Sequence, residues 1–275
     1  MMTIRIRHVL RGVMIACVIV IALFPIYWML NVSVMPTAAR FDAVPQFFPS
    51  TITDSYARVF NDLPIGRWLM NSTVIACGTA IASLSLALPA AYAMSRYKFR
   101  GRGLIGFVLF ATQMLPEALL LVPLYALFLA LGLINSLWGL MLVDTAFVMP
   151  ILVWLLKSAI DSVPIEIEEA ARVDGCSRIT IQMTVVWPLI LPTIAASSVL
   201  GFLHAWNEFL VANTFIFDRS TWPASVGLAS LVGELTTPLD LMMSAAALYA
   251  IPAIVFFLVV QRWIVNGMTA GSVKG

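Results

Sequence analysis

The sequence predicts an all-α integral membrane protein of six transmembrane helices, and three observations carry that expectation. Of its 275 residues 61% are hydrophobic and only 11% charged, against about 25% charged in ordinary globular chains. Mean hydropathy is +0.97, more apolar surface than a water-soluble core of this length could hide. The apolar residues also fall into long runs nearly free of charge, each near the ~20 residues that a helix needs to cross a bilayer. The bases, finally, collect on alternate loops.

The first span is expected at 12–34, after Arg5, Arg7 and Arg11. A basic start followed by an apolar run is also how a signal peptide begins. This run is too long for one and lacks a small-residue cleavage pattern, so an uncleaved span is expected. Residues 35–67 are Pro-rich, with Phe41, Phe47, Phe48, Tyr56 and Phe60, and too short for a separate domain. An amphipathic helix around 54–62, resting at the outer interface, is the expectation there. The second span is placed at 68–95. The third, 103–131, contains one charge, Glu117. A short Asn135-Ser136 turn separates it from the fourth, 137–157, which contains Asp144. Re-entrant half-helices are the alternative in this third-to-fourth region. The fifth span is expected at 185–217 and the sixth at 241–264, the whole of 1–275 forming a single transmembrane domain.

Between spans four and five, 162–178 carries its own helix. Ser162 and Pro164 suit a helix start, and Glu166, Glu168 and Glu169 favour the positive end of the helix dipole. Gly175 suits the left-handed position that closes a helix. Ile167, Ala170, Ala171 and Asp174 share a face, thinned by its two alanines. Five acids at 161–174 face Arg172 as the only base in that stretch. A loop that merely joined two spans would need only a few residues. An amphipathic helix lying on the headgroups is one reading, and a docking helix for a partner the other.

Twelve of the 16 Lys and Arg residues lie at the N-terminus, in 96–102, in 157–178 and at the C-terminus; Arg40, Arg58, Arg67 and Arg219 lie on the other side. The positive-inside rule therefore puts both termini and the 162–178 loop in the cytoplasm of a cell (inner or plasma) membrane. Cys17, Cys77 and Cys176 have neither disulfide nor metal spacing. The sequence shows no GxxxxGK[ST] nucleotide loop, no HExxH and no GxSxG, so neither a cofactor nor catalysis is expected in this chain, and nothing points to nucleic acid.

Glu169-Ala170-Ala171, then Asp174-Gly175, then Leu191-Pro192 resemble the "EAA" loop of permease subunits of binding-protein-dependent ABC importers. Ala205-Trp206-Asn207-Glu208-Phe209-Leu210 and the C-terminal stretch from Gln261 to Gly275 are similar to the maltose-type carbohydrate branch. The resemblance implies the type I importer fold and a second, homologous permease sharing one pathway for a sugar. It also implies two copies of an ATPase that bind ATP and Mg, and an extracellular solute-binding protein, for which 35–67 is a candidate contact. The residues it assigns to ATPase coupling are Glu168, Glu169, Ala170, Ala171, Asp174 and Gly175. Thr269, Ala270 and Gly271 are assigned to a tail that inserts between the ATPase subunits, a frayed terminus being the plain alternative. The implied mechanism is alternating access.

Ionisable groups at membrane depth are costly, roughly 2.5–3.5 kcal/mol each at the centre, and so are functional candidates. Counted at about 1.5 Å per residue, Glu117, Asp144 and Glu208 all fall in the outer half, with His204 one turn before Glu208. Trp206, Asn207 and Glu208 supply an aromatic face and hydrogen-bonding groups, the combination that recognises sugars, and the resemblance places this stretch beside the translocation path. Glu117 follows Pro116, and a proline-broken helix beside an acid suits a cavity lining. Asp144 reads either as a paired, protonated or interfacial group or as part of the path. A permease for a glycerol-phosphate-type or other solute is one alternative. An ion-coupled secondary transporter, with these acids as coupling sites, is another, but it leaves the 162–175 helix without a role.

Overall fold

The computed structural model describes residues 2–36, 46–48, 54–233 and 238–271, with backbone alone at 2–7, 9 and 265–271. Its regular elements are helices, and no strand occurs among the described residues. Leu10–Val34, Ile65–Arg96, Leu137–Asp161, Leu191–Phe215 and Leu239–Ile264 are long and apolar enough to cross a membrane. A sixth crossing exists if Arg102–Thr112 and Glu117–Leu131 form one broken span. The all-α membrane fold is therefore the one its composition demands.

The chain forms two compact units, residues 1–66 with 228–251 and residues 67–227 with 252–275. The first holds α1 (Met2–Val34), α2 (Ser55–Asp62) and the opening half of α13 (Leu239–Gly271). α1 presents exposed Leu10, Val18 and Ile21 along its length, as a lipid-facing helix would. Polar contacts fasten its end. Ser33 Oγ lies 2.9 Å from Tyr56 Oη, Ser244 Oγ donates to the Ser33 carbonyl (3.0 Å), and Asn31 Nδ2 donates to that of Gln46 (2.8 Å). α2 is the amphipathic helix expected at 54–62. It buries Ser55 and Val59, exposes Phe60, and pairs Arg58 with Asp240 at 2.9 Å. Phe41 lies outside the described residues.

The second unit contains most of α3 (Ile65–Arg96), then α4 (Arg102–Thr112), α5 (Glu117–Leu131), α6 (Leu137–Asp161) and α7 (Ile165–Val173). After α8 (Arg178–Ile181) come a π-helical turn (Gln182–Val186), α9 (Trp187–Leu189), α10 (Leu191–Asn207), α11 (Leu210–Phe215) and α12 (Ala224–Ala229). Its core gathers Ala87, Ala91 and Tyr92 of α3 with Leu152, Leu156 and Ile160 of α6, closed by Ile181 and Val186. Small residues let the helices approach. A Cβ on Gly201 of α10 would sit 3.2 Å from Ser83 Oγ and 3.4 Å from the Ala80 backbone of α3. One on Gly78 of α3 would meet Met141 of α6. This close packing of small residues is what holds helices together in a solvent as apolar as their side chains.

Three expected elements differ. The continuous helix over 103–131 is two helices bent by 101°, because Pro116 has no N–H to continue the ladder; residues 113–116 are the break. The fifth run, 185–217, is interrupted at Ile190 and again at Glu208-Phe209. Pro188 and Pro192 account for the first interruption. The sixth helix, expected to end at 264 before a tail, continues as α13 to Gly271; residues 272–275 lie outside the described residues.

Candidate coupling helix and interrupted membrane helices

α7 is the helix expected in the 162–178 loop, trimmed to nine residues. Pro164 precedes its first residue, and Glu166 and Glu168 lie in its first turn. Its end is a Schellman closure: Cys176 N donates to Ala171 O (3.1 Å) and Gly175 N to Arg172 O (3.1 Å). Gly175 has φ of +86°, where a side chain would strain the backbone. Ile167, Glu169, Ala170, Val173 and Asp174 are exposed, and Val173 is 87% exposed. An apolar and acidic face on a short helix stands open.

Glu168 departs from its expected place on that face. It is 1% exposed, takes a hydrogen bond from Tyr92 Oη (2.7 Å) and an ion pair from Arg96 Nε (2.6 Å), and so points into the protein. The reason is register: Glu168 is one position from Glu169 and therefore turned about 100° away around the helix. Ala171 also leans inward, packed against the core, while Ala170 faces out. Arg96 and Tyr92 went unmarked at the sequence level, where Arg96 counted only as one more cytoplasmic base. Its sole sequence signal is its position, the last residue of a long apolar run.

At the other end of the unit, α3, α6 and α10 meet where Gly78, Met141 and Gly201 allow contact. Asp144 lies one turn beyond Met141, Thr79 follows Gly78, and Ser197 and His204 sit a turn either side of Gly201. Asp144 is 1% exposed, and among the described residues neither carboxylate oxygen has a hydrogen-bond partner. The same holds for Thr79 Oγ1, Thr145 Oγ1, Ser197 Oγ and His204 Nε2. Glu117 and Glu208 are near enough to bear on Asp144 electrostatically, and Glu117 on His204. The three acids read separately from the sequence thus lie within electrostatic reach of one another, and His204 within reach of Glu117.

Two of those acids sit at interruptions. Glu117 opens α5 directly after the break and is exposed; Gln113, at the break, donates to the Phe147 carbonyl in the middle of α6 (2.9 Å). Glu208 ends α10 in extended conformation and caps α11, taking hydrogen bonds from Val211 N (2.6 Å) and Ala212 N (2.9 Å). Its two oxygens therefore serve the backbone. Trp206 is not an open stacking surface: it is 2% exposed and stacked on Phe202 at 5.4 Å, which in turn stacks on Phe256. Its large apolar ring gains more from the core than from a polar lining. Asn207 stays exposed and donates to Leu203 O (2.9 Å). Thr269, Ala270 and Gly271 lie at the end of α13, their side chains outside the described residues.

Irregular backbone at membrane depth is tolerated only where it is buried in protein or lines a cavity. Two interrupted helices meeting at a cluster of acids are the arrangement in which transporters hold polar solutes.

Comparison with known proteins agrees with this geometry. Residues 83–270 match the family described as binding-protein-dependent transport system inner membrane component. The sulfoquinovosyl glycerol transport system permease protein of Agrobacterium fabrum is 33% identical, with 97% of this chain and 94% of that one aligned. The trehalose/maltose transport system permease protein of Thermococcus litoralis is 33% identical over 93% of each chain. Among solved structures, a bacterial ABC transporter involved in the import of the acidic polysaccharide alginate superposes with a TM-score of 0.78 at 25% identity, over 94% of this chain and 96% of that one. With the open α7, its Glu169-Ala170-Ala171 sequence and the interrupted helices in place, the chain belongs to the family of inner-membrane components of binding-protein-dependent transport systems.

Proposed function

We propose that this chain is a permease subunit of an ATP-driven sugar importer. It pairs with a second, similar permease to form one path for a sugar that an extracellular binding protein delivers. ATP and Mg are bound by a separate ATPase dimer docked on α7, with both termini in the cytoplasm. The observation that carries this reading is the exposed α7 face, closed at Gly175, on a chain whose membrane helices break beside acids. The relatives named for sulfoquinovosyl glycerol and trehalose/maltose support the sugar class.

The path runs past Glu117, Asp144 and His204, with Asn207 and Glu208 toward the outer end. It offers acids and one histidine but no Lys or Arg, neither of which occurs within 68–95, 103–156, 179–218 or 239–261. Carboxyl groups accept hydrogen bonds from hydroxyls and ammonium groups, and an ionised one, such as the exposed Glu117, repels anions. The solute is therefore a neutral or amine-bearing sugar, and a phosphorylated, sulfonated or uronic-acid sugar would need bases from the second permease. A thermal-shift screen of the cognate binding protein, followed by uptake into proteoliposomes carrying the assembled transporter, tests this. Vanadate-sensitive uptake of a neutral or amino sugar is expected. Uptake of anionic sugars alone would overturn the charge argument, and uptake driven by an ion gradient without ATP would overturn the importer reading.

A further inference from the structure

We infer that Arg96, with Tyr92, is a positioning residue that locks α7 to the cytoplasmic ends of α3 and α6, so that these three helices move as one lever. The inference rests on the reading of α7 as the ATPase contact.

The lock is visible in where one guanidinium sends its donors. Nε bonds Glu168 of α7 at 2.6 Å, and Nη2 bonds the carbonyls of Ile160 (2.9 Å) and Val163 (2.7 Å) at the end of α6. Ile160 O, in the last turn of α6, also accepts from Val163 N (3.0 Å), and Val163 follows the helix end. Arg96 is itself the last residue of α3, so one side chain joins three elements. Tyr92, a turn earlier, takes the second oxygen of Glu168. Ser95 extends the tie by donating to Asp161 Oδ1 at 2.6 Å, and Lys157 reaches the other Asp161 oxygen. The Arg96 and Glu168 side chains are only 12% and 2% exposed. Little water reaches the pair, and its electrostatic hold is correspondingly strong. A planar fork serving several fixed acceptors also resists reorientation better than a lysine would.

The way from α7 to α10 passes the left-handed Gly175, a four-residue α8, the π-helical turn at 182–186, Pro188 and the interruption at Ile190 before α10 begins beside Pro192. Ile181, Val186 and Ile190 of that stretch are buried in the same core as α3 and α6, and α10 packs closely on α3 at Gly201. Displacement applied to the exposed face of α7 thus enters α3 and α6 through Arg96, and α10 is carried with them by side-chain packing.

The test is a distance measurement between spin labels in the transporter assembled with its ATPase, in a cysteine-free background. Leu86 (α3) and Glu166 (α7) are exposed labelling positions outside the coupling face. The 86–166 distance should stay narrow and unchanged between nucleotide-free and ATP-bound states. Arg96→Gln should broaden the 86–166 distribution in both states and lower uptake per ATP hydrolysed several-fold, with Arg96→Lys recovering part of each. If Arg96→Gln does not assemble, Tyr92→Phe, which removes one hydrogen bond and almost no volume, should broaden the same distribution to a lesser degree. A wild-type 86–166 distance that moves by about 5 Å on ATP binding, the scale of a one-turn ratchet, would overturn the lock. So would an unchanged distribution in both Arg96→Gln and Tyr92→Phe. A transporter that hydrolyses ATP but imports no sugar defeats the sugar reading and leaves the distances interpretable. A chain that binds no ATPase defeats the coupling reading and this inference together.

Discussion

Glu168 and Glu169 are neighbours in the sequence with opposite surroundings. Glu168 is enclosed with Arg96 and Tyr92, whereas Glu169 stands free on the open face of α7. Removing one partner of a buried pair strands the other charge, at about 3–5 kcal/mol. Glu168→Ala is therefore expected to lower the thermal stability and yield of the folded complex. Glu169→Lys should leave both unchanged, since the side chain is exposed, and abolish uptake if α7 docks the ATPase as proposed. Comparing melting curves with uptake for the two variants checks the division. Glu208 poses the same question deeper in the chain. Its two oxygens cap α11, and losing a cap costs about 1 kcal/mol. Glu208→Ala should reduce the amount of folded complex, and Glu208→Gln, which keeps one acceptor, should reduce it less. Uptake per folded complex isolates any further contribution to the path; a fall there with full yield would give Glu208 a gating role instead.

Among the elements, α7 and its closure were legible in the sequence because every signal is local. Pro164, the early glutamates and Gly175 each act within a turn of their own position. Gly175→Leu is expected to strain the left-handed closure by about 1–2 kcal/mol and to abolish uptake while the chain still reaches the membrane. Normal uptake in that variant would show that the helix end carries no load. The interruptions of the third and fifth spans were less legible. Pro116 and Pro188 announce local breaks. That the Pro116 break, at Glu117, and the later interruption at Glu208 both come within electrostatic reach of Asp144 depends on contacts among α3, α6 and α10, far apart in the chain. The same contacts turn Trp206 inward, reversing the reading of it as a stacking surface.

For the whole molecule, the uneven placement of bases predicts a topology that labelling can check. Single cysteines at Lys98 and Ser162 should react only from the cytoplasmic side, and one at Arg219 only from outside; the opposite pattern would reverse the orientation. Deleting the chain from Thr269 onward should weaken or uncouple transport without loss of expression, whereas wild-type transport would mark a frayed end. Composition and hydropathy by themselves determined that this is an all-α membrane protein. Its local motifs determined that it carries a short, Gly-closed helix between the fourth and fifth spans. Both follow from short-range physics: apolar runs must enter lipid, and caps act within a turn. Only the tertiary structure decided which glutamate of the pair stays exposed, that Arg96 joins three helices, and that Glu117 and Glu208 come within electrostatic reach of Asp144. Those facts depend on the rotation and depth at which helices pack. In a solvent as apolar as the side chains, that is set by close contact at Gly78 and Gly201 and by the few polar groups that must find partners.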